Sequence, residues 1–123
     1  SVSDSPTKYD ENPESFEFIK QIPTVWDETV PLKGEVGEYI AIARRYQKTW
    51  YIGVMNGADP RNIEVDLSFM GKGRRTIKAH CDGRNADQQA KDSQVKQYTI
   101  NDTEKLSIQM SRGGGYIGIV NIE

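Results

Sequence analysis

NIEVDLSF, residues 62–69, alternates without a break: Ile63, Val65, Leu67 and Phe69 fall on one side, and Asn62, Glu64, Asp66 and Ser68 on the other. Successive side chains of an extended backbone point to opposite faces, so a period of two is the signature of a strand. One face is dry and the other wet, as in an antiparallel sheet with a single buried side. KLSIQMS, residues 105–111, repeats the logic, setting Leu106, Ile108 and Met110 against Ser107, Gln109 and Ser111.

Working outward, the same grammar predicts strands near 24–32, 38–46, 49–56, 74–81, 95–100 and 115–122. The linkers Gln47-Lys48, Gly57-Ala58-Asp59-Pro60 and Gly71-Lys72-Gly73 are of hairpin length, and no long helical segment intervenes to make parallel crossovers. The expected fold is all-β: an antiparallel Greek-key β-sandwich of about eight strands. Before it, Asn12 suits an N-cap, Pro13 the first helical position and Glu14 the positive end of the helix dipole, while Pro23 ends the pattern. A short helix over 13–22 follows, carrying Phe16, Phe18, Ile19 and Ile22. So short a helix must dock on something, here through Phe16 and Ile19. Residues 83–93, GRNADQQAKDS, read as an irregular surface loop or one helical turn.

A chain of 123 residues makes one compact unit. Hydrophobic residues are 36%, near the low end of globular usage once the 11 glycines are added. A net charge of −2 leaves no basic footprint for displacing counterions, which excludes nucleic acid as an expected partner. No stretch approaches the roughly 20 apolar residues of a membrane helix. The single cysteine, Cys81, rules out an internal disulfide, and a chain opening on Ser1 is expected to be a processed or excised piece of a longer protein.

SRGGGYIG, residues 111–118, fits the dinucleotide pattern G-x-G-x-x-G through Gly113, Gly115 and Gly118. That motif needs a following helix whose N-terminus receives the pyrophosphate. Only five β-rich residues, IVNIE, follow Gly118 in this chain. The glycines are expected instead to turn the chain between its last two strands, where positive φ is free of a Cβ clash.

Candidate chemistry is sparse. The lone His80 precedes Cys81, and neighbours on a strand face opposite ways, so they form neither a dyad nor a shared zinc site; a buried thiol and a solvent-facing imidazole are expected. Asp82, Asp87, Asp92 and Asn85 offer oxygen ligands for Ca²⁺, but their spacing matches no EF-hand loop and a solvated loop is the expectation. Asp27 and Glu28 diverge on a strand and cannot face one another across a sugar as glycosidase carboxylates must. No catalytic, cofactor-binding or metal-binding residue is therefore assigned. Among the aromatics, Trp26, Trp50 and Tyr51 are the candidates for a glycan or interdomain contact, with Trp50 in line with Ile52 and Val54 and so placed for the core.

The ordered set PTVWDET (23–29), GEYIAIARR (37–45), WYIGVMN (50–56), DGRNAD (82–87) and SRGGGYIGIV (111–120) resembles the C-terminal domain of glycoside hydrolase family 97. DSPTKY (4–9) and ESFEFI (14–19) likewise resemble the segment leaving that family's catalytic barrel, so the resemblance covers nearly the whole chain. It implies that residues 1–22 are the end of the barrel and a linker, and that 23–123 are the C-terminal β-sandwich. It further implies a parent α-glucosidase or α-galactosidase whose catalytic carboxylates and Ca²⁺ lie in other domains, leaving no cofactor in this piece. The implied partners are the barrel of the same chain and a homo-oligomer, and the apolar face of the 13–22 helix is expected to lie against that barrel. A carbohydrate-binding module for α-linked oligosaccharides is the alternative. By analogy with the family, the compartment is periplasmic or cell envelope.

Overall fold

The computed structural model describes residues 17–18, 20–71, 73–83, 92–101 and 105–121. Eight strands follow one another: β1 (Glu28–Glu35), β2 (Tyr39–Tyr46), β3 (Thr49–Asn56), β4 (Arg61–Val65), β5 (Arg75–Gly83), β6 (Asp92–Ile100), β7 (Leu106–Met110) and β8 (Gly115–Asn121). They form a six-stranded sheet in the order β1-β2-β3-β8-β5-β6 and a two-stranded sheet of β4 and β7. Every pairing is antiparallel. β8 returns to lie beside β5 while β7 crosses to the other layer, which is a Greek-key return.

The alternation that opened the sequence explains the layering. Ile63, Val65, Leu106, Ile108 and Met110 of the small sheet turn inward onto Trp50, Ile52, Val54, Ile77, Ala79 and Val120 of the large one, in one buried cluster. Trp50 sits there 4% exposed, edge-on to Phe69 with ring centroids 4.9 Å apart. Gly118 is the narrow point of β8. A Cβ there would stand 2.9 Å from the Tyr116 hydroxyl, because the Tyr116 ring folds over it.

Several strand limits differ from the expected ones, and three of the differences have a local reason. β1 begins at Glu28, not near Thr24, because Asp27 is already engaged: its N–H donates to the Arg45 carbonyl at 2.7 Å and its Oδ2 accepts the Gln47 N–H at 2.8 Å. That second bond holds the two-residue β2–β3 turn, where Gln47 has φ of 57°. β4 stops at Val65, since Asp66 Oδ1 accepts the Ser68 N–H at 2.9 Å and starts a 3-10 turn over Ser68–Met70. The β5–β6 hairpin runs out to the pair Gly83↔Asp92, further than side-chain periodicity indicated, because ladder bonds are made by backbone.

Residues 17, 18 and 20 are helical, and Phe18 is 2% exposed, stacked on His80 at 5.6 Å between ring centroids. The rest of the expected 13–22 helix, including Phe16 and Ile19, lies outside the described residues. The imidazole of His80 is thus not solvent-facing: it lies 7% exposed beneath Phe18. Phe18 in turn finds its cover on this chain's own sheet.

Candidate interface on the outer sheet face

The large sheet has a second face, turned away from the core. Strand register sets its side chains in rows. One row runs Ile40, Met55, Gly115; the next Ile42, Gly53, Ile117, His80; the third Arg44, Tyr51, Ile119, Lys78. Most of these are apolar. Met55 is 66% exposed and Ile40 46%, so the face is open where it is most hydrophobic.

The polypeptide leading into β1 borders this face. Ile22 and Trp26, with Ile40, Ile42, Met55, Tyr51 and Ile117, line a groove of about 440 Å³. Trp26 meets Tyr51 edge to face, with centroids 5.2 Å apart and planes at 64°, and the Arg44 guanidinium lies 5.7 Å over the Trp26 ring. Burial pushes the Tyr51 phenol above its ordinary pKa, and the charge of neighbouring Tyr46 adds to the effect. Tyr51 therefore stays a neutral donor at this rim.

Of the three aromatic candidates, the structure brings Trp26 and Tyr51 together on the open face and puts Trp50 on the opposite side of β3, in the core. Ile40, Ile42, Met55, Gly53 and Ile117 were not among the candidates. A signal for them exists: YIAIARRY and WYIGVMN are apolar at both parities, as strands covered on both faces are.

The residues weighed for chemistry have structural work. Asp27 caps the β2–β3 turn, and Glu28 pairs with Arg45 at 3.1 Å. Cys81 points to the core side, where burial pushes its thiol up in pKa against the opposing pull of Lys96. Such a thiol is a poor nucleophile. Among the described residues no three His, Cys, Asp or Glu side chains gather around a metal position, and no helix is long and apolar enough to cross a membrane. The side chains of Asp82, Asn85, Asp87 and Asp92 lie outside the described residues.

The triple glycine belongs to a knot of three loops at one end of the sandwich. Asn56, 8% exposed, donates through Nδ2 to the carbonyls of Asp59 (2.8 Å) and Ser111 (3.0 Å) and accepts from Arg61 Nε at 2.9 Å. Gly113, at φ of 64°, donates its N–H to the Gly57 carbonyl at 2.8 Å, and Gly57 donates to Glu38 at 2.8 Å. The N–H groups of Asn56, Gly57, Gly113 and Gly114 are spent on protein carbonyls. No helix begins here and no nest of free N–H groups is left to these residues for a phosphate.

A two-layer β-sandwich whose small sheet is polar on its outer face, with an apolar open face on the large sheet and no converging acid, base or ion ligands among its described side chains, has the character of an accessory module. Comparison with known proteins gives its family. The model of the glycosyl-hydrolase 97 C-terminal, oligomerisation family matches residues 25–121, and the chain belongs to that family. A retaining alpha-galactosidase of Bacteroides thetaiotaomicron is 41% identical over 115 residues, covering 94% of this chain and 17% of that protein. A family 97 glycoside hydrolase from Pseudoalteromonas sp. strain K8, solved in complex with acarbose, superposes with a TM-score of 0.78 at 26% identity over 96% of this chain and 19% of that one. A beta-arabinopyranosidase structure gives 0.76 at 26% identity, over 94% and 18%. The chain thus spans about a fifth of the length of the proteins it matches.

Proposed function

We propose that this domain does no chemistry itself and serves as the C-terminal packing and oligomerisation module of a glycoside hydrolase. The observation that carries the proposal is the outer face of the large sheet, which is built like a core surface yet carries Met55 and Ile40 in the open. The parent's substrate belongs to the same proposal. Two relatives with this domain carry different names, a retaining alpha-galactosidase and a beta-arabinopyranosidase, which fits a module that does not choose the sugar. The 41% identity to the Bacteroides protein makes α-galactosides the first substrates to test and α-glucosides the second. The catalytic carboxylates and any Ca²⁺ are assigned to the remainder of the parent, and a periplasmic or envelope location goes with that assignment.

The test is hydrolysis of nitrophenyl α-galactoside and α-glucoside by the full-length parent and by this chain alone. Turnover by the parent with none by the chain is expected; appreciable turnover by the chain alone overturns the proposal. A second reading, recognition of an α-linked oligosaccharide, draws on the pairing of Trp26 with Tyr51. Their planes stand at 64° and do not make the flat platform on which a sugar ring stacks. Calorimetry of maltooligosaccharides against the chain is expected to show no heat of binding.

A further inference from the structure

We infer that the trough floored by Gly53 and Gly115 on the outer sheet face is the seat of bulky apolar side chains from the catalytic part of the same polypeptide. The inference rests on the accessory-domain proposal and adds the place and the means of docking. Glycine inside a strand loses packing and costs backbone entropy, so it calls for a reason. Gly118 has one within the domain, since a Cβ would strike the Tyr116 hydroxyl at 2.9 Å. Gly53 has none. It is the fifth residue of the eight-residue β3, between two paired strands, with no left-handed φ, and a Cβ built there meets no heavy atom within 4 Å. Gly115, its diagonal neighbour on β8, has only the Val54 carbonyl oxygen, at 4.0 Å. The space over both is open on the side away from the core. Glycine at such a position lets another chain approach the sheet closely.

The occupant follows from the walls and from the approach of the chain. Ile40, Ile42, Met55 and Ile117 make apolar walls, and the polar side chains of the lining are engaged within the domain: Arg44 and Tyr51 with Trp26, and His80 with Phe18. A hydroxyl-rich ligand would find few partners there. Apolar side chains fit. The described lead-in lies on this face, with Phe18 seated on His80 and with Ile22 and Trp26 bordering the groove. The family is a C-terminal one, and relatives carry about four-fifths of their length outside it. That remaining polypeptide reaches the sandwich through the lead-in and so arrives at the trough. A second copy of the chain has no such tether.

The test uses the full-length parent with Gly53→Leu, which fills the trough, and Met55→Glu, which charges its wall at a side chain already 66% exposed and so spares the core. Gln109→Leu, on the exposed polar side of β7, is the control. The readouts are calorimetric unfolding, limited proteolysis within residues 21–27 and light scattering. Both trough variants are expected to split off a separate unfolding transition for this domain and to speed cleavage of the lead-in at least tenfold, with the control unchanged. Wild-type cleavage and a single transition in Met55→Glu overturn the inference, whether or not Gly53→Leu folds. A fall in oligomer size with docking intact also overturns it, because the trough would then hold a second copy. Turnover by the isolated chain would instead strike the accessory-domain proposal and leave these readouts untouched.

Discussion

The two sheets of this molecule treat their outward faces in opposite ways. The small sheet turns Asn62, Glu64, Ser107 and Gln109 to solvent, and Ser107 Oγ donates to Asn62 Oδ1 across the strands at 3.1 Å. The large sheet turns out Ile40, Ile42, Met55 and Ile117. Both sheets bury their inner faces in one cluster, so the difference is not required by the core. Polar outward residues end a protein at water, whereas an outward face as apolar as an interior one marks a surface that another surface covers.

Phe18 shows what such cover does, and it sets the largest expected effect. It is 2% exposed on the same face where Met55 is 66% exposed. Phe18→Ala is expected to cost about 3 kcal/mol in urea unfolding of the chain, while Met55→Ala changes stability by no more than about 0.5 kcal/mol. Equal costs would erase the distinction between the covered and open parts of the face. Asn56→Ala comes next, at about 1–3 kcal/mol, because it removes three side-chain hydrogen bonds from a half-buried knot, although the Ser111 carbonyl keeps the Gly114 N–H and the Arg61 guanidinium keeps Glu38. Gly118→Ala is expected to cost about 1–3 kcal/mol by overpacking, against a negligible or slightly favourable effect of Gly53→Ala in the isolated chain. Both variants are read from the same denaturant curves. A shared loss would mean that Gly53 serves the domain's own packing after all.

The smallest effect is on pH. Tyr116 is pushed well above the ordinary phenol pKa by burial first, then by the charge and hydrogen bond of Tyr98, whose oxygen is 2.8 Å away. Tyr98 is raised as well, mainly by burial. A raised phenol pKa contributes stability that is fully present below the unfolded value, about 10, and is lost as pH climbs beyond it. Thermal stability is therefore expected to fall above about pH 10, and replacing both tyrosines by phenylalanine flattens that decline. An unchanged alkaline slope in the double variant would assign the decline to other groups.

The strands were largely legible because NIEVDLSF and KLSIQMS bury one face each, and period two then sorts residues unambiguously. β2 and β3 show why the candidate interface was harder to read. Their outward residues are apolar too, and in a single sequence an apolar residue on a second face looks the same as one in a core. Trp26, Trp50 and Tyr51 stood out for size, yet Trp50 is core and the open area belongs to Ile40 and Met55. The Asn56 knot was not legible at all. Its partners stand 3, 5 and 55 residues away, and only the folded loops bring them together. The glycines of SRGGGYIG, in contrast, yielded to context: a turn into β8 explains Gly113, and the Tyr116 ring explains Gly118.

The most direct measurement compares the two outward faces within the native parent enzyme. Met55→Cys and Ser107→Cys place a thiol on each, and maleimide labelling rates report which one water reaches. Labelling at position 107 at least a hundredfold faster than at position 55 is the predicted result. Equally fast labelling at both would show that the apolar face of the large sheet lies bare in the whole protein, and would contradict the account.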